Sequence, residues 1–214
     1  MTEWDELHRR ARERYEDGES RLPDDRDERQ RQLTRMGNAA AAAGLTALMA
    51  GAGGGEWFAR AAARYRESWE HAPPDSWGRP IGAIKARILA GDWDGATEDA
   101  RWTLEAGAAR AESPIGRYAA ALAYAVLGEW EHVRVHADYA RTHESFPNEV
   151  ADALAFVAAE DVVGYIEAVE DVLESFEIRD EYLEGVPVAD TVLVLQALAG
   201  KRDMAAELDS ELLP

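Results

Sequence analysis

Three observations predict that this 214-residue sequence folds as helices alone. Apolar residues recur three and four apart almost everywhere, the period of a helix with one buried face. No stretch sustains strict alternation, so no strands are expected. Breaks rich in Gly, Pro, Ser and Asp fall at Gly18 to Asp25, Gly51 to Gly55, Pro73 to Gly78, Gly91, Gly107 to Pro114, Gly128, Ser145 to Asn148, Gly185 to Pro187 and Gly200, which divides the chain into about eleven short helices.

Residues 1–22 form a charged helix, and residues 23–214 form one helical-repeat domain. Trp4 to Tyr15 and Asp24 to Arg35 alternate Arg with Asp or Glu, the pattern of a solvated helix laced with ion pairs one turn apart. The opening residues lack the apolar core and small-residue cleavage site of an export signal. Met36 to Gly55 is mostly Ala and Gly and too weakly apolar to span a bilayer, so it reads as a buried helix running into a loop. The remaining helices fall into pairs at about 30–72, 79–107, 114–144, 149–178 and 187–212.

An internal period is the most specific signal. Gly54, Gly91 and Gly128 are 37 residues apart, and the same interval separates Ala59, Ala96 and Val133, then Ala63, Ala100 and Ala137, then Tyr65, Trp102 and Tyr139. Each copy carries a Gly-acid-Trp triplet: Gly55-Glu56-Trp57, displaced by one residue, Gly91-Asp92-Trp93 and Gly128-Glu129-Trp130. Gly ends one helix in the left-handed conformation, the acid suits the positive start of the next, and Trp anchors the turn in the core.

With these residues the chain resembles the tetratricopeptide-repeat (TPR) family. The clearest copy is Ile115 to Pro147, with Ala121 and Tyr124 in the first helix, Leu127-Gly128-Glu129-Trp130 at the turn, and Ala137 and Ala140 in the second helix. It departs from the family at Val133, where a small residue is usual, at Arg87, which stands where Tyr124 does in the next copy, and in its longer period. The resemblance implies antiparallel pairs stacked as a short right-handed α-solenoid. Helices starting near Arg79, Ile115 and Val150 would then line a concave groove that receives a peptide or a helix, with Ile81, Lys85 and Tyr118 as contacts.

Charge adds a second cue. The net charge is −19, with only two lysines, Lys85 and Lys201, which fits a protein adapted to high salt. Its distribution does not: residues 144–214 hold 18 acidic and 3 basic residues, whereas residues 1–143 are nearly balanced. One end of the sequence is therefore a negative surface that repels nucleic acid and anionic membrane and attracts a basic partner. Glu167, Glu170, Asp171 and Glu174 stand for that surface, and neutralising them should weaken such a complex and flatten its salt dependence.

Catalytic patterns are sparse. There is no Cys, which removes disulfides, thiolate zinc sites and Cys nucleophiles and favours a cytoplasmic setting. Glu129, His132 and His136 share a helical face with His143 two turns on, the spacing of a metal-dependent helical-bundle enzyme, but no second helix offers partner ligands. Gly51 to Gly55 lacks the strand and the Lys-Ser or Lys-Thr of a phosphate loop. Trp57, Trp93, Trp102 and Trp130 read as core, and Trp77, in a Pro-Pro-Asp-Ser loop, as an exposed contact. The resulting expectation is a scaffold or adaptor without cofactor, metal or catalysis. Its alternatives are an acidic inhibitor or immunity-type protein covering a basic partner, and the metal-dependent enzyme.

Overall fold

The structure, a computed structural model, describes residues 2–214. Among them are ten α-helices, two 3-10 turns and no strand. The chain divides into two compact units, one comprising the chain up to Asp92 with Asp180–Val188 and Glu211–Pro214, the other Trp93–Arg179 and Ala189–Ser210.

The first unit contains α1 (Glu3–Ser20), α2 (Arg26–Met49), α3 (Gly55–His71), α4 (Gly78–Leu89) and the 3-10 turn Leu183–Gly185. Thr2 and Asp5 start α1 with a reciprocal capping box, and Asp25 caps α2 by accepting from the Glu28 N–H at 2.9 Å. The Ala-rich α2 is buried on most of its circumference because α1 and α3 pack on it and α4 touches it. Its small residues permit that approach. Gly37 and Gly44, two turns apart, lie against the rings of Tyr65 and Phe58, which are spaced alike on α3, and Gly82 of α4 lies against the other edge of Tyr65. A methyl group at Gly37 or Gly82 would sit 2.7 Å from that ring.

The second unit contains α5 (Trp93–Glu105), the 3-10 turn Ala108–Arg110, α6 (Pro114–Leu127), α7 (Trp130–Arg141), α8 (Asn148–Ala159), α9 (Val162–Glu177) and α10 (Asp190–Gly200). Each helix packs on the next, and α8 also touches α6 and α10. Gly91 and Gly128 have φ of 69° and 76°, and the following N–H reaches back five residues, from Asp92 to the Arg87 carbonyl at 3.0 Å and from Glu129 to that of Tyr124 at 2.9 Å. A further copy of this closure ends α8 at Glu160, whose φ is 59°, with the Asp161 N–H bonded to the Phe156 carbonyl at 3.0 Å. Another follows α10 at Asp203, with the Met204 N–H on the Ala199 carbonyl at 3.0 Å.

Burial phases agree with these turns. Ala96, Asp99, Ala100 and Thr103 of α5, Val133, His136, Ala137 and Ala140 of α7, and Tyr165, Ala168, Val169 and Val172 of α9 are buried at matching distances from Trp93, Trp130 and Val162. The α3 copy differs: Gly54 has φ of −118°, Ala59 and Ala63 are exposed, and Phe58, Ala61, Ala62 and Tyr65 are buried instead. The 37-residue interval there is not a shared packing position.

Two expectations are corrected. The eleventh helix is missing because residues 204–210 form neither helix nor strand: buried Met204 and half-buried Ala206, Leu208 and Ser210 alternate with exposed Ala205, Glu207 and Asp209. Apolar residues at 204, 208 and 212 fit period two as well as a helix, since four is a multiple of two. Trp77 is buried, not exposed: its indole N–H donates to Asp75 at 3.1 Å and its ring lies 5.2 Å from that of Trp69. The four repeat tryptophans are only half-buried.

Candidate protein-binding surface

The sequence of α9 separates two faces. Asp161 caps its start by accepting from the Gly164 N–H at 3.0 Å, and Tyr165, Ala168, Val169, Val172, Leu173 and Phe176 bury one side. Fixing that side fixes the other. Glu167, Glu170, Asp171 and Glu174 project into solvent at i, i+3, i+4 and i+7, a single stripe along the helix. No Lys or Arg comes within ion-pair distance of these four among the described residues. One turn on, Glu177 accepts from the Ser210 hydroxyl at 2.7 Å.

Two cations of the second unit are engaged elsewhere. Arg179 donates to the Ser175 carbonyl at 2.9 Å and lies over the Phe176 ring at 3.7 Å. Arg202 donates to the Val157 and Ala158 carbonyls at the end of α8, pairs with Glu160 and lies over Trp130 at 4.7 Å. The stripe is bracketed by large apolar side chains in water, Val162 and Val163 at one end and Ile178 at the other, with Val163 and Ile178 exposed by 68% and 77%. An acidic strip with apolar ends matches what a basic, partly apolar protein surface would cover.

Of the sequence-predicted contacts, the structure brings together Glu167, Glu170, Asp171 and Glu174. Ile81 and Lys85 lie one turn apart on α4, both half-buried. Tyr118 is buried in α6 with its ring 5.3 Å from that of Phe146, and burial, with Asp190, pushes its hydroxyl well above the usual phenol range. It is a packing residue, which corrects its assignment as a groove contact. The apolar flanks and Glu177 escaped sequence reasoning because Glu160 and Val162 occupy the positions that Gly and Trp mark in other copies.

The histidines are held by neighbours on α6. Arg117 donates to Nδ1 of His136 at 3.3 Å and to the Ala111 and Ala109 carbonyls at 2.6 and 2.8 Å, so this imidazole accepts at Nδ1 and stays neutral. Burial first, then Arg117 and His132, hold His136 down to about 4. His132 and His136 both stack on Tyr124, at 4.7 and 5.4 Å, and Glu129 lies 3.4 Å from His132. No three His, Asp or Glu side chains converge on one point among the described residues. No helix among those residues is long and apolar enough to cross a membrane. No family model, curated protein or solved structure matches this chain.

Proposed function

We propose that this chain acts as a scaffold or adaptor by binding another protein, without chemistry of its own, and that the exposed face of α9 is the contact. The observation that carries the reading is the stripe of Glu167, Glu170, Asp171 and Glu174 without a cation beside it. Like charges one turn apart destabilise a helix, so the arrangement costs stability and gains its use when a basic surface neutralises it. Complementary charge of this kind speeds encounter and fixes orientation. The partner is a protein with a basic patch, met in the cytoplasm, and the acidic inhibitor is one form of the same reading.

The pairs α6/α7 and α8/α9 are taken to stack in the TPR manner, in support of which their turns and buried positions agree. The test is capture from the native source by three versions of the full chain: wild type, E167Q/E170Q/D171N/E174Q on α9, and E6Q/E13Q/E16Q/D17N on α1. Each variant loses four negative charges. A partner held by the wild type and the α1 variant and lost by the α9 variant is the expected result. The same partner on all three would remove the acidic face from the account.

A further inference from the structure

Past its turn at Asp203, α10 has no second helix to cover it, and a stretch without helix or strand, its burial alternating residue by residue, follows instead. Backbone outside helix and sheet must find its hydrogen bonds elsewhere. Here one side chain supplies them. Gln196 of α10 donates from Nε2 to the Ala206 carbonyl at 2.6 Å and accepts at Oε1 from the Ala206 N–H at 2.9 Å, which satisfies both backbone groups of one residue.

The amide is also held from α9. The Tyr165 hydroxyl, from a fully buried residue of α9, donates to the same Oε1 at 2.7 Å. Burial holds that hydroxyl above its ordinary range, so it remains a donor. On one side of the Gln196 contact Met204 is buried, and on the other Leu208 is half-buried, while Glu207 and Asp209 point to water. The Ser210 hydroxyl on Glu177 closes the far end.

The geometry points to a peptide-binding site on α9 and α10, occupied in this structure by the chain's own Ala205–Ser210. Its ligand is a segment of a partner protein with a small residue where Ala206 lies and an apolar residue two positions after it. Recognition through main-chain bonds with alternate side chains inserted is how proteins take up extended peptides, and it places no demand on the outward residues. The inference uses none of the carboxylates from Glu167 to Glu174, so it and the acidic-face reading can fail separately.

The test uses the full chain and a fluorescein-labelled peptide with the sequence of residues 205–212. In the wild type the tethered segment competes at an effective concentration of order millimolar, so the peptide binds weakly. Ala206→Pro in the chain removes the N–H that Gln196 accepts from and loosens that competitor. Fluorescence anisotropy should show saturable binding to the A206P chain at least about tenfold tighter than to wild type, lost again when Gln196→Leu is added. No binding to A206P, or equal binding to both chains, overturns the proposal. Loss of cooperative melting in A206P overturns it too, since the segment would then belong to the fold and not be replaceable. Hydrogen exchange on the wild type gives an independent reading: the Ala206 amide should exchange well before that of Tyr165, and equal protection contradicts an exchangeable occupant.

Discussion

Helices α1 and α9 both carry dense acid, and they use it in opposite ways. On α1, Glu6 accepts from Arg9 and Arg10 at 2.7 Å, Glu13 from Arg9 at 2.5 Å, Glu16 lies 3.5 Å from Arg12, and Asp17 pairs with Arg21. Arg14 reaches Glu184 at 2.9 Å. Bonds from Arg9 and Arg10 hold the Glu6 carboxyl down to about 2. On α9 the four stripe carboxylates have no such neighbours. Charge density alone says little about net surface charge, because a helix that alternates signs neutralises itself. On the proposed reading, a docking face is marked by charge of one sign that the chain leaves uncompensated.

The largest effect should come from reversing the stripe. E167K/E170K/D171K/E174K should weaken a captured basic partner by roughly a hundredfold or more, measured by titration at fixed salt, while the neutral E6Q/E13Q/E16Q/D17N variant of α1 binds as wild type. A smaller effect, in the opposite direction, is expected on stability. E167Q/E170Q/D171N/E174Q relieves four like-charge contacts at one-turn spacing, which should raise stability by about 1 kcal/mol and the melting temperature by about 2–4 °C at low salt. The α1 variant should melt below wild type. Both shifts should shrink in about 1 M salt, where the screening length is about 3 Å.

The two units should also respond to acid in different windows. His136 is neutral in the fold and titrates near 4 instead of 6.5, so the unfolded chain takes a proton first as pH falls. Its contribution is complete above 6.5, declines toward 4, and should vanish from the pH profile of unfolding in His136→Gln. Glu6 titrates near 2 in place of 4.5, so its contribution is complete above 4.5 and is lost as pH falls to 2. Glu6→Gln should flatten that lower limb alone, the smallest of these effects because the pair is in water.

Much of this was legible before folding. The all-helical class, the left-handed closures at Gly91 and Gly128 and the stripe on α9 follow from period and residue type alone. Other features were hidden for identifiable reasons. Glu160 and Asp203 adopt the left-handed conformation that glycine advertises, at a cost of about 1 kcal/mol each, so their turns left no mark in the sequence. Trp77 looked exposed because its loop reads as polar, yet Asp75 in that loop accepts the indole N–H that permits burial. The run after Met204 is met at Ala206 by Gln196, a residue ordinary in any helix until the chain folds back on it.

The most direct measurement is hydrogen exchange on the chain alone and with its captured partner, at one salt concentration. Binding to the stripe predicts slower exchange across Val162–Glu177 and no change across Glu3–Ser20. Slowing confined to Glu3–Ser20, with α9 unaltered, would contradict the claim that the uncompensated helix is the one that binds.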